Sequence, residues 1–392
     1  MGGRNATTGE LFADPERFPR GIAHLAAYAH ARGLLLGIYT DVTSNPCVHG
    51  QYQRESEKVP GSFGHYDTDA KTFASWGVDY VKADFCNGSH DVGTGADKKL
   101  VFTVDPKSAY TNFSAALNRT GRPMYFVACF DRWLPQGGSS TPSYAPPWMW
   151  MHPIANAYRL SKDHHDNWPQ LSFEIATNAH AAAMSVPGSF GDWDYLTTGG
   201  EGCLAPGVNP TPPVGAAGGG AAGVRCANMT QHEYRTAVSL WIIGASPLII
   251  DADIRNLSAF QRETLLHEEV LALHQDPRAA GGSRIGCAEL AGTNQHEGGH
   301  TAEACEAEVW LKPLAGNESL VALFNLGSSA RTLRLPFVVL GYNTTTKLRL
   351  RDVWNRQELG VYSGSYDTTT TPVQEHETVL LRVALNTDDN AA

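Results

Sequence analysis

Apolar and polar positions along the first third of the chain switch repeatedly between two periods. From Ile22, apolar residues recur at Leu25, Ala26 and Ala29, one face of a helix, with Arg32 in the last turn and Gly33 beyond it. The run Leu34-Leu35-Leu36-Gly37-Ile38-Tyr39 is then continuously apolar, the pattern of a strand buried on both faces. A second helix has Asp67 and Asp69 in its first turns, an apolar stripe of Tyr66, Ala70 and Phe73, and Gly77 as its stop. It leads into a strand over Asp79–Asp84. A third helix opens with Asp105 as cap and Pro106 in its first turn, and carries Tyr110, Phe113 and Leu117 as far as Gly121. A short strand over Met124–Ala128 follows, with weaker strand signals near Arg159 and Trp193. Thr230 with Glu233 and Ser258 with Gln261 are capping boxes that open two later helices, and Pro247–Asp251 reads as the strand between them. Strand and helix keep alternating, which predicts a parallel sheet built from βα units and hence an α/β barrel.

Beyond Gln275-Asp276-Pro277 and Gly281-Gly282 the pattern changes. Short apolar or alternating runs start at Glu308, Leu320, Arg334, Leu348 and Thr378, with turn residues between them, and predict an antiparallel β-sandwich. The expected domains are therefore 1–278, a barrel, and 279–392, a sandwich. The Gly-, Ala- and Pro-rich stretch from Gly199 to Gly223 reads as a loop inserted between the last two βα units.

Composition narrows the classes of function. A chain of 392 residues is long enough for a barrel plus a smaller domain. A formal charge of −10 offers no basic surface for nucleic acid, and no apolar run approaches the about 18 residues of a membrane span. Asn-x-Ser/Thr sequons at Asn5, Asn87, Asn112, Asn118, Asn228, Asn256, Asn317 and Asn343 point to the secretory pathway, and so to a secreted, lysosomal or vacuolar protein. The first residues, Met1-Gly2-Gly3-Arg4-Asn5, lack the apolar segment of a signal peptide. Three motifs carry little weight. His296-Glu297-Gly298-Gly299-His300 matches a zinc-helix pattern, but its Gly pair opposes a helix. Gly218 to Gly223 matches a nucleotide-loop pattern but follows a Pro-rich loop, not a strand. His164 and His165 are adjacent on a turn, which suits pocket-lining or solvent-exposed imidazoles better than ligands of one ion.

The chemistry concentrates at Tyr80-Val81-Lys82-Ala83-Asp84-Phe85-Cys86. Alternation along a strand puts Tyr80, Lys82 and Asp84 on one face. A Lys and an Asp on an apolar strand are costly in an ordinary core, but suit the C-terminal mouth of a barrel, where strand ends carry catalytic groups.

Several segments, in order, resemble glycoside hydrolase family 27, which contains the α-galactosidases and α-N-acetylgalactosaminidases. They are Asp14-Pro15-Glu16-Arg17-Phe18-Pro19, Gly37-Ile38-Tyr39, Pro60-Gly61-Ser62-Phe63-Gly64, the stretch from Asp69 to Asp79 with Trp76-Gly77-Val78-Asp79, and Lys82-x-Asp84-x-Cys86. The resemblance implies a (β/α)8 TIM-type barrel followed by a small antiparallel β domain. It implies a retaining exo-glycosidase that acts on terminal α-D-galactosyl residues of an oligosaccharide, glycolipid or glycoprotein without a cofactor or metal, possible as a homodimer. Asp84 would be the nucleophile. Asp163, in Arg159-Leu160-Ser161-Lys162-Asp163, would be the acid/base, in preference to Asp166. Retaining glycosidases set two such carboxyl groups about 5–5.5 Å apart. Lys82 and Arg159 would hold sugar hydroxyls, Tyr39 and Cys47 would line the same pocket, and Asp194 with Tyr195 would bind sugar. Two positions depart from the family. Phe130, in Cys129-Phe130-Asp131-Arg132-Trp133, replaces a Glu that contacts the sugar 2-substituent, and Asp192-Trp193-Asp194-Tyr195 replaces Asp-Pro-Asp-Met. These changes leave α-N-acetylgalactosaminidase, β-L-arabinopyranosidase and a catalytically dead sugar-binding protein as alternatives.

The resemblance further implies a disulfide between Cys47 and Cys86. Cys203 and Cys226 bracket the inserted loop and Cys287 and Cys305 the first loop of the sandwich, so each pair is expected as a disulfide, with Cys129 left over from seven cysteines. The family barrel opens with two strands before the one matched by Gly37-Ile38-Tyr39. The chain is therefore expected to be an N-terminally incomplete barrel of about six strands, a fragment or truncated gene product, poorly expressed and with little or no activity on its own.

Overall fold

A computed structural model describes residues 2–47, 59–92, 99–131, 144–179, 184–196, 229–251, 254–290 and 305–386. The chain divides into two compact units, with the change between Lys162 and Asp163.

The first unit begins with a two-stranded ribbon, β1 (Gly3–Arg4) and β2 (Leu11–Phe12). Helix α1 (Gly21–His30) buries Ile22 and Ala26 and leads to β3 (Gly37–Asp41). The expected strand thus starts three residues late. Leu34 and Leu35 are 61% and 77% exposed, because the chain is still turning out of α1, with the Leu34 N–H bonded to the Ala29 carbonyl. Helix α2 (Tyr66–Ser75) and strand β4 (Tyr80–Asp84) follow as expected, then a hairpin of β5 (Ser89–Val92) and β6 (Lys99–Phe102). Helix α3 (Pro106–Arg119) starts where its signals put it. The Asp105 carboxylate accepts the Ser108 N–H at 2.8 Å, and Pro106 sits in the first turn, where it forfeits no hydrogen bond. Strands β7 (Tyr125–Ala128) and β8 (Ala157–Arg159) pair parallel in turn, so that this unit's strands run in the order β3-β4-β7-β8. Each of these strands ends at the same edge, so Asp41, Asp84, Cys129 and Arg159 gather there. Val81, Ala83, Phe73, Phe113 and Phe126 form the core beneath.

In the second unit, α4 (Trp168–Asn178) is capped by Asn167, and a short strand, β9 (Phe190–Asp192), precedes α5 (Gln231–Gly244). Both expected capping boxes are present, at Thr230/Glu233 for α5 and at Ser258/Gln261 for α6 (Ala259–Leu265); α7 is Glu268–His274. The expected strand at Pro247–Asp251 shrinks to a single bridge between Ile250 and Leu196. Pro247 has no N–H to give a ladder, and α5 ends in a left-handed turn at Ala245, with φ 55°, that uses up part of the segment.

The sandwich has a six-stranded sheet in the order β10 (Ser283–Cys287), β12 (Ala307–Pro313), β13 (Ser319–Asn325), β18 (Thr378–Leu385), β15 (Lys347–Asp352) and β16 (Gln357–Ser363). A three-stranded sheet of β11 (Glu289–Leu290), β14 (Leu333–Pro336) and β17 (Ser365–Asp367) accompanies it. The strand pairings of the sandwich are antiparallel among the described residues. Its core is built from Val309, Val321, Leu323, Leu335, Phe337, Leu348, Leu350, Leu381 and Val383.

Helix α5 is buried along nearly its whole length and is tied to the sandwich by polar contacts. Thr236 bonds Thr378 at 2.7 Å, Trp354 donates to Ser239 at 2.9 Å, and Lys312 donates to the Ile242 carbonyl at 3.0 Å. Lys312 is fully buried on β12, and desolvation pulls its pKa down to about 8, opposed by the charge of Asp276. A cation with a depressed folded pKa binds its proton less tightly than in the unfolded chain. Its burial therefore costs stability at neutral pH, and the cost fades as pH rises above about 8. Against a Lys312→Met variant, the wild-type chain should gain relative stability between pH 7 and 10, by on the order of 3 kcal/mol at most. Denaturant titrations of both proteins across that range check this; a constant difference contradicts it.

Candidate functional site

Strand register sets the geometry around Asp84. β3 and β4 run parallel with Tyr39 opposite Lys82 and Asp41 opposite Asp84. Tyr39 and Asp84 thus share a face, two residues out of step. The Tyr39 hydroxyl bridges that step and donates to Asp84 Oδ2 at 2.5 Å. Burial, then the negative charge of Asp84, pushes the Tyr39 phenol far above its ordinary range, so it stays a donor. Asp84 is 8% exposed, and its Oδ1 has no hydrogen-bond partner among the described residues. One oxygen is held and the other is not, an arrangement that costs stability and leaves a carboxylate lone pair uncommitted.

Asp41 was not singled out in the sequence, yet it braces this strand end. Its Oδ1 accepts the Thr43 N–H at 2.6 Å and its Oδ2 accepts the Cys86 N–H at 3.0 Å. It therefore joins the loop after β3 to the loop after Asp84. The rule that picked out Asp84, a carboxylate ending a strand, would also have found it. Burial raises its pKa to about 6, the two N–H donors lower it, and Asp84 raises it. The disulfide Cys47–Cys86 closes the same pair of loops, and the Cys47 N–H donates to the Tyr39 hydroxyl at 3.2 Å. Asp41, Cys47 and Cys86 are close enough to suggest a metal group, but both sulfurs are committed to the disulfide and cannot act as thiolate ligands. The second expected disulfide, Cys287–Cys305, is also present, and Cys129 is in neither. Cys203 and Cys226, the Gly218–Gly223 loop and His296–His300 lie outside the described residues.

Lys82 is half-buried on β4, opposite Tyr39 on one side and Val127 on the other. Arg159 ends β8, 1% exposed, with Nη1 3.6 Å from the Cys129 sulfur. Phe130 follows Cys129 and is 1% exposed. It packs edge-on against Phe85, Tyr144 and Trp150 at ring separations of 5.4–5.9 Å. Its ring belongs to an aromatic cluster that backs the residue after Asp84.

The other candidate residues belong to the second unit. Asp163 is exposed, while Asp166 is buried and its Oδ1 accepts the Tyr234 hydroxyl at 2.6 Å. His164 is neither pocket-lining nor exposed, as the sequence suggested, but buried, with Nδ1 2.8 Å from Glu174 Oε2. Only the fold brings these two together, since Glu174 comes from inside α4. Asp194 is buried at φ 84°, a conformation costly for a non-glycine residue. It is held there from three sides. Its Oδ2 accepts the His164 N–H at 2.9 Å, its carbonyl accepts the Trp241 Nε1–H at 3.1 Å, and its N–H donates to Asp192 Oδ1 at 2.9 Å. Tyr195 beside it is 41% exposed.

Comparisons with known proteins agree with one another. Residues 2–206 match the family described as Alpha galactosidase A, and residues 304–383 match the Alpha galactosidase C-terminal beta sandwich domain. Alpha-galactosidase 2 of Arabidopsis thaliana is 31% identical over 346 residues, 88% of this chain and 69% of the relative. Alpha-galactosidase of Coffea arabica is 31% identical over 346 residues, 88% and 72% of the two chains. Among solved structures, alpha-galactosidase I from Mortierella vinacea superposes with a TM-score of 0.73 at 24% identity, over 98% of this chain and 85% of that one. A β-L-arabinopyranosidase of family 27 from Geobacillus stearothermophilus superposes with a TM-score of 0.69 at 20% identity, over 96% and 81%. The fold is that of the TIM-barrel glycosidases with a C-terminal β-sandwich. The parallel sheet, the sandwich and both matched segments lead to one conclusion: this chain belongs to the α-galactosidase A family, glycoside hydrolase family 27.

Proposed function

We propose that the chain is an α-galactosidase-type exo-glycosidase that removes terminal α-D-galactosyl residues with retention of configuration. The observation that carries this reading is the divided state of Asp84, with Oδ2 held by Tyr39 and Oδ1 without a hydrogen-bond partner among the described residues. In the first step Asp84 Oδ1 attacks the anomeric carbon as the bond to the leaving oxygen breaks, and Asp163 gives its proton to that oxygen. In the second step Asp163 takes a proton from water. The resulting hydroxide equivalent attacks the anomeric carbon, the glycosyl ester breaks, and Asp84 leaves as carboxylate. Asp163 suits the acid/base role better than Asp166, whose carboxylate is buried and taken by Tyr234. Lys82, Arg159 and Asp194 would hold sugar hydroxyls, and Tyr39, Cys47 and Tyr195 would border the sugar.

A second reading, β-L-arabinopyranosidase, rests on Phe130. A phenyl ring in an aromatic cluster offers no acceptor to the substituent on C2, so recognition depends on the other positions. Nitrophenyl α-galactoside and β-L-arabinopyranoside assayed side by side separate the two. The eight sequons and the two disulfides support a secreted, lysosomal or vacuolar site of action.

Two predictions follow from these roles. Asp84→Ala should abolish turnover of every substrate with the fold retained. Asp163→Ala should slow an unactivated galactoside such as melibiose by about 10²–10⁴-fold, but an activated aryl galactoside far less, because a good leaving group needs little protonation. Steady-state kinetics on both substrates check this, and equal losses contradict the assignment of Asp163.

A third prediction concerns Asp41, the brace beside Asp84. Its folded pKa of about 6 lies above its ordinary value of 3.8, so the folded state holds the proton more tightly. Its contribution to stability is full below about pH 4 and is lost as pH rises through about 6. Relative to Asp41→Asn, which does not titrate, wild-type stability should fall by on the order of 3 kcal/mol between pH 4 and pH 7. Unfolding curves of both proteins at the two pH values check the sign; a rise contradicts it.

A further inference from the structure

The residue after Asp163 is locked in place on every side the structure describes. The side chains of His164 and Glu174 are both fully buried, with Nδ1 and Oε2 2.8 Å apart. The other Glu174 oxygen accepts Gln170 Nε2–H at 3.0 Å, one helical turn back on α4. The imidazole stands edge-on to Trp241, with ring centroids 5.2 Å apart. Its backbone N–H donates to Asp194 Oδ2, and Asp194 in turn accepts Trp241 Nε1–H through its carbonyl. His164, Trp241 and Asp194 thus form a closed triangle in which each member touches the other two.

We propose that His164 is a positioning residue: through Glu174 and Asp194 it fixes the main chain that carries Asp163 and ties the acid/base turn to the sugar-binding turn. This rests on the reading of Asp163 as acid/base. A buried carboxylate needs a donor or cation beside it. Glu174 has two, Gln170 and His164, and a rotation of His164 would strand one oxygen in an apolar setting. The imidazole cannot leave without that penalty, and the backbone N–H cannot leave without releasing Asp194 from its left-handed conformation. Asp163 lies one peptide, about 3.8 Å, from this anchored Cα. A misplacement of about 1 Å in a proton-transferring group is enough to cost about 100-fold.

The test is the ratio of kcat for melibiose to kcat for an activated aryl α-galactoside, measured with KM and melting temperature. His164→Leu should lower that ratio at least tenfold with KM within about threefold of wild type. His164→Asn, whose amide nitrogen can stand in for Nδ1 against Glu174, should recover most of the ratio. An unchanged ratio in His164→Leu, or no recovery in His164→Asn, overturns the proposal. So does a full recovery in the doubly apolar His164→Leu/Glu174→Leu variant, because the pair would then only satisfy its own burial. Should His164→Leu fail to fold, Glu174→Gln keeps an acceptor and the side-chain shape. It should lower the ratio about threefold, and an unchanged ratio again overturns the proposal. Asp163→Ala is the control. A ratio unmoved in Asp163→Ala refutes the acid/base reading itself, whereas a ratio moved in Asp163→Ala but not in His164→Leu refutes only the role of His164.

Discussion

The hydrogen bond from Tyr39 to Asp84 is the constraint around which the site is arranged, and it depends on strand register. Two residues along a strand advance about 6.6 Å, close to the reach of a tyrosine side chain. With Tyr39 opposite Lys82, its hydroxyl arrives level with Asp84, the next residue on the same face. A slip of one residue between β3 and β4 would turn Tyr39 to the other face and leave both Asp84 oxygens without this donor. The pairing of two apolar strands therefore decides which carboxylate oxygen is held and which is not.

The loops after β3 and β4 brace that pairing. The two oxygens of Asp41 accept backbone N–H groups from both adjoining loops, and the Cys47–Cys86 disulfide closes the same loops covalently. Asp41 does this while fully buried, and burial makes its charge expensive. The brace thus consumes stability at neutral pH. Asp194 shows the same trade in the second unit, where a left-handed backbone is maintained by contacts from His164, Trp241 and Asp192. At Asp41 and Asp194, buried charge and backbone strain are held beside residues assigned to catalysis and sugar, against local preference.

Local signals explain which parts of the fold could be read from the sequence. The Asp105–Pro106 start of α3 and the two capping boxes appear where they were expected, because a cap is a short-range hydrogen bond with its own residue code. Asp84 was legible because a charged residue breaks an apolar strand. Leu34 and Leu35 misled because three leucines after a helix look like a strand while the chain is still turning. Pro247–Asp251 misled because an apolar run does not show whether partners exist along its length. Strand β16 was missed because most of its residues are exposed and give no apolar alternation. The His164–Glu174 pair was invisible because its partners lie on different elements and meet only in the folded chain.

The central claim is that Asp84 is the nucleophile, and the covalent intermediate tests it most directly. A fluorinated α-galactosyl fluoride, which forms the glycosyl-enzyme faster than water releases it, should be incubated with the protein and the digest examined by mass spectrometry. The account predicts one added glycosyl group on the peptide that contains Asp84, located at that residue by fragmentation. An adduct on a different carboxylate, or turnover of galactoside with inversion and no adduct, would contradict it.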